Sequence, residues 1–103
     1  MKIAYIAHPV SGDVQGNISK IIAIVRQINL SEPDVVPFAP YIADLLALDD
    51  SVEVERERGI KNDVHPLGAG FVTELRLYGG RVSKGMQHEK ELAESLGIPV
   101  IQF

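Results

Sequence analysis

A chain of 103 residues, 46% hydrophobic and 23% charged, suits one compact domain with one core, and a single domain over 1–103 is expected. Its net charge of −4 excludes an extended surface for polymeric nucleic acid, which needs clustered Lys and Arg, but a small anionic ligand needs only local donors. With no cysteine there is no disulfide framework and no thiolate metal site or nucleophile.

Met1-Lys2 leads straight into Ile3 to Ala7, a short apolar run closed by His8-Pro9 that predicts a buried strand feeding a loop. That run is too short for a signal-peptide core, and no stretch is long enough to span a membrane, so a cytoplasmic protein without a membrane partner is expected. The loop His8 to Gly16 holds a proline, two glycines and an aspartate. Beyond it Ile18, Ile21, Ile22, Val25 and Ile28 follow helical spacing, with Asn17 placed as an N-cap.

Asp34 to Phe38 is the second predicted strand, ended by Ala39-Pro40. Ile42, Leu45, Leu46 and Leu48 predict a short helix, and the alternating charges of Asp49 to Asp63 a largely solvated one. Pro66, Gly68 and Gly70 are expected to break or kink whatever helix reaches them. Glu74 to Tyr78 reads as a third strand, Ser83 to Leu96 as a helix, and Val100 to Phe103 as a closing strand. This alternation predicts an α/β fold: a doubly wound, Rossmann-like or flavodoxin-like, mostly parallel sheet of four or five strands with helices on both faces. Ligands in such sheets sit beyond the carboxyl ends of the strands. If the first and third strands are neighbours, the loops His8 to Gly16 and Gly79 to Gly85 meet there.

The second of these loops, Tyr-Gly-Gly-Arg-Val-Ser-Lys-Gly from Tyr78, lets the backbone approach a ligand and opens a helix whose free N–H groups favour an anion. Ser83 can cap that helix or donate to the anion, and Arg81 and Lys84 can supply charge; the same letters suit an ordinary N-cap with glycine turns. Glu89 falls near the centre of the arc formed by Gly85, Met86, Leu92, Ala93 and Leu96, whereas Glu91 and Glu94 fall outside it. An inward carboxylate without partners costs several kcal/mol, so Glu89 either has a partner, lines a cavity, or bends its stem to solvent. His8, His65 and His88 lack metal-ligand spacing, and neither a metal nor another cofactor is expected.

Tyr5-Ile6-Ala7-His8-Pro9-Val10-Ser11-Gly12-Asp13, followed by Ser83-x-Gly85-x-x-x-Glu89-x-x-x-Ala93 and Gly97-Ile98-Pro99, resembles the nucleoside 2-deoxyribosyltransferase superfamily over nearly the whole chain. It is most similar to a small branch common in phages and bacteria, which also shares Asn17 and the segment Ala39 to Tyr41. The resemblance implies N-glycosidic chemistry on a nucleoside or nucleotide, with Glu89 as the nucleophile at the anomeric carbon. It further implies a 5′-phosphate held by Ser83 and Gly85 and by the first loop, where Ser11 and Gly12 offer contacts, with Gly79 and Arg81 alongside. Asp63 is the expected acid for the departing base, ahead of Asp44, Asp49 and Asp50. Thr73 departs from the acidic residue that many relatives carry just before the third strand. Tyr5, His8 and Tyr41 are expected to face sugar or base, although Tyr5, on a strand, suits the core equally. A homodimer or larger assembly is implied too. The alternatives are a nucleotide-binding module without turnover and a protein that mainly assembles.

Overall fold

Ala4, Tyr5, Ile6 and Ala7 are all fully buried, so the first strand runs through the middle of the sheet with both faces covered, as a continuous apolar run requires. The computed structural model describes residues 1–103. In chain order the elements are β1 (Lys2–Ala7), α1 (Val14–Ser31), β2 (Val35–Phe38), α2 (Tyr41–Ala47), α3 (Glu53–Gly68), β3 (Glu74–Leu77), α4 (Lys84–Ser95) and β4 (Val100–Gln102). The four strands are all parallel in the order β2-β1-β3-β4, with Tyr5 beside Phe38 on one side and Leu75 on the other. The fold is therefore the expected Rossmann-like α/β sheet with four strands. Because β1 and β3 are neighbours and the connections leave them in opposite directions, the strand order reverses between them. No helix is long and apolar enough to cross a membrane.

Strand alternation separates the two faces. Tyr5, Ala7, Leu75 and Leu77 pack with Tyr41 of α2, Leu67 of α3, and Met86 and Ala93 of α4. Ala4 and Ile6 pack against Ile28 of α1. On this second face the outer part of the sheet is closed by side chains. Arg76, on β3, donates to Glu74 at 2.7 Å and bidentately to Glu32, just past the end of α1, at 2.8 and 2.9 Å. Its guanidinium lies 4.8 Å from the centre of the Phe103 ring, which stacks on Tyr78.

Two local expectations are corrected, at the start of α1 and the end of α4. Asp13, not Asn17, caps α1: its carboxylate accepts from Gly16 N at 3.1 Å and its carbonyl from Asn17 N at 2.8 Å. Asn17 lies inside the helix and its amide donates to the Val10 carbonyl at 2.9 Å, tying the preceding loop down. The segment Pro66 to Gly70 does end α3, as expected: Pro66 lies inside its last turn and the helix stops at Gly68. Leu96 is 49% exposed and outside the apolar arc, because α4 stops at Ser95 in a Schellman turn. There Gly97 adopts φ +73° while Ile98 N and Gly97 N donate to the carbonyls of Ala93 and Glu94.

Candidate functional site

Four of the expected site residues converge on the face covered by α2, α3 and α4. Tyr5 projects from the middle of β1 and donates its hydroxyl hydrogen to the Asp63 main-chain oxygen at 3.3 Å. Asp63 reaches this position because it precedes Leu67 by one helical turn, and Leu67 is the buried anchor of α3. Tyr41, at the start of α2, donates to the Ile6 main-chain oxygen. Glu89, one turn beyond Met86 on α4, completes the group. The Tyr5 hydroxyl faces its carboxylate and favours the charged form of Glu89.

Burial sets the protonation chemistry. Removal from water pushes Glu89 up from 4.5 to about 7, with the nearby Asp63 charge adding to the rise and the Tyr5 hydroxyl opposing it. Asp63 is pushed up from 3.8 to about 7, chiefly by burial and then by Asp44. Asp44 is itself held by Asn62, whose amide donates to it at 3.1 Å. One Asp63 oxygen, Oδ1, is buried with no hydrogen-bond partner. Burial and the two carboxylates push the Tyr5 and Tyr41 hydroxyls upward, so both stay neutral donors. Near neutral pH the Glu89–Asp63 pair is partly protonated, the condition in which one carboxyl can act as acid and the other as base or nucleophile.

The remaining binding residues are arranged differently. His8, Ser11, Gly12, Gly79 and Arg81 line one cavity of about 320 Å³ together with Asn17 and Lys20 of α1. The two loops do meet where the strand order reverses. The cavity wall includes none of Tyr5, Asp63, Ser83 or Glu89. Ser83 caps α4, accepting from Met86 N at 3.3 Å, and Gly85 lies exposed in the first turn of that helix. Gly79 has φ +95°, and a Cβ there would stand 2.6 Å from Pro9 Cδ, so only glycine fits. Thr73 lies at the amino end of the sheet, where its hydroxyl accepts from Ile3 N at 3.0 Å. An acid at that position would sit at the opposite end of β1 from His8.

Two contributions were not legible as such in the sequence. Asp44 acts on Asp63 through charge. Lys20 joins the cavity because Asp13, Asn17 and Lys20 recur at offsets of four and three along one face of α1, a periodicity visible in the sequence without a reason to attach chemistry to it. No group of three or more His, Asp or Glu side chains is placed to hold a metal ion.

A family described as a domain of unknown function (DUF7768) matches residues 2–103. The chain belongs to that family. No curated protein and no solved structure matches the chain. In this DUF7768 member the groups that the fold brings together are the two carboxyls and two tyrosines on one face of the sheet and the cation-lined cavity beside α1.

Proposed function

We propose that the domain acts on the N-glycosidic bond of a nucleoside or a (deoxy)nucleoside 5′-monophosphate, with Glu89 as nucleophile and Asp63 as acid. The supporting observation is the pair itself: two carboxyl groups from facing helices, each displaced to about 7 by burial, beside a neutral tyrosine donor. An ionised Glu89 oxygen bonds to the anomeric carbon as the carbon–nitrogen bond breaks. The bonding pair leaves with the base, which takes the Asp63 proton. Water, or a second base in a transferase, then attacks the same carbon and releases Glu89, and the ionised Asp63 recovers a proton from that nucleophile. The sequence motif Ser83-x-Gly85-x-x-x-Glu89 supports the assignment through its resemblance to deoxyribosyltransferases.

A panel of deoxynucleosides, ribonucleosides and their 5′-monophosphates, followed for free base by chromatography, tests this directly. Base release is expected, with kcat/KM highest near neutral pH, abolished in Glu89→Gln and strongly slowed in Asp63→Asn. Release at the wild-type rate in Glu89→Gln would defeat the nucleophile assignment. No release from any substrate, together with nucleotide stabilisation of the fold, would favour the binding module.

The proposal includes a homodimer. On α3, Val54 and Ile60 are 75% and 53% exposed, with Glu57 and Lys61 on the same outward groove. Two such helices packed antiparallel about a two-fold axis level with Gly59 set each Val54 near a Val64 and each Glu57 near a Lys61.

A further inference from the structure

Two aspartates stand near one another where α2 packs on α3, and the fold treats them differently. Asp44, on α2, receives a donor: the Asn62 amide nitrogen lies 3.1 Å from its Oδ2. Asp63, on α3, has its Oδ1 buried without a hydrogen-bond partner. The Tyr5 hydroxyl, which does reach residue 63, bonds to the main-chain oxygen instead. A carboxylate without donors is the form that burial penalises, and the charge on Asp44 adds to the penalty. The proton therefore belongs on Asp63 and the negative charge on Asp44.

What fixes this division lies one step further out. An amide can turn either its oxygen or its N–H group towards a carboxyl. Arg58, one turn before Asn62 on α3, settles the choice, because its Nε donates to Asn62 Oδ1 at 3.1 Å and a guanidinium has only donors to offer. The amide oxygen is thus occupied and the nitrogen faces Asp44. Arg58 itself, with Lys61 and His65, lines the outward groove of α3. The titratable groups that face Asp63 are Asp44 and Tyr41 from α2, Tyr5 from β1 and Glu89 from α4, with no cation among them.

We propose that Arg58 and Asn62 are positioning residues for the glycosidic reaction: they lock a standing negative charge at Asp44, which keeps a proton on Asp63 until the departing base takes it. Their role rests on Asp63 being the acid, as assigned above. Asp44 holds its charge throughout, and the proton that moves is the one on Asp63.

Carbon-13 carboxyl titration of the full chain tests this without any substrate, following Asp63 and Glu89 together because the pair titrates as a unit. Asp44→Asn, which keeps the shape of the side chain, is expected to lower the Asp63 midpoint by about one pH unit, and Asn62→Leu to move it the same way. Arg58→Ala discriminates by sign. Losing a cation that acted through space alone would raise the midpoint, whereas releasing the Asn62 amide lowers it, and Arg58→Lys is expected to restore it. The alkaline limb of kcat/KM for base release should move down in pH with the midpoint in each variant. An Asp63 midpoint unmoved in both Asp44→Asn and Asn62→Leu overturns the proposal, while Asp63-dependent base release by the wild type leaves the glycosidic assignment standing. A midpoint that rises in Arg58→Ala overturns the part given to Arg58. Midpoints that shift as expected in a wild type and variants that release no base from any nucleoside or nucleotide remove the reaction, and the positioning role with it.

Discussion

Replacing Glu89 by glutamine removes a carboxyl group that the fold holds up from 4.5 to about 7. Below about pH 4 the group is protonated in both the folded and the unfolded chain, and its ionisation contributes nothing to the difference between them. As pH rises from there, the unfolded chain gives up its proton first, so folded stability falls until the folded group also ionises near 7. At about 1.4 kcal/mol per pH unit, the displacement amounts to roughly 3 kcal/mol, present above neutrality and absent in acid. Glutamine fills nearly the same volume without that ionisation. Urea denaturation followed by circular dichroism from about pH 4 to about pH 8.5 should therefore show Glu89→Gln gaining up to roughly 3 kcal/mol on the wild type as pH rises. Asp63 titrates in both proteins with the same sign, through burial and Asp44, and largely cancels in the comparison. Parallel stability curves across the whole range would refute a buried Glu89 and with it the physical basis of the carboxyl pair.

Tyr5→Phe removes the hydroxyl that restrains Glu89, so the Glu89 midpoint in a carbon-13 carboxyl titration should move further up, with about 1 kcal/mol of stability lost along with the bond to Asp63. An unmoved midpoint would dissociate the two groups. Arg76→Ala leaves Glu74, whose side chain is 5% exposed, only the exposed Lys2 at 3.5 Å, and should cost up to roughly 3 kcal/mol in chemical denaturation, more than truncating an exposed arginine; a loss under about 1 kcal/mol would show the network to be energetically idle. Glu57→Lys and Lys61→Glu should each weaken the dimer in sedimentation, and the double exchange should restore it; a wild type that sediments as a monomer at micromolar concentration while fully active would dispose of that interface.

The order of strands and helices was legible because β1 is a short apolar run closed by His8-Pro9, and in β3 the apolar Leu75 and Leu77 alternate with charged residues between glycine-containing turns. The stop of α4 was equally plain in Gly97-Ile98-Pro99. The start of α1 was not, since Asp13 and Asn17 are both good caps. The choice between them depends on Asn17 being needed to hold Val10, a contact across the loop that no local pattern encodes. Glu89 announced itself as a charge within an apolar arc, whereas Asp63 lay in a run of alternating charges that reads as solvated. Only the burial of Leu67 one turn later fixes which face of α3 is inward. Tyr5, which suited core or site, lies fully buried in the core and is hydrogen-bonded to the element that carries Asp63.

Tyr5 and His8 are three residues apart on one chain segment, an odd interval and about 10 Å of extended backbone. Strand parity therefore sends Tyr5 towards the carboxyl pair, while the loop carries His8 to the cavity beside α1. On the proposed function, a substrate that engages both must span the rim of the sheet over the tips of β1 and β3, and inserting a single residue between Tyr5 and His8 would change that span.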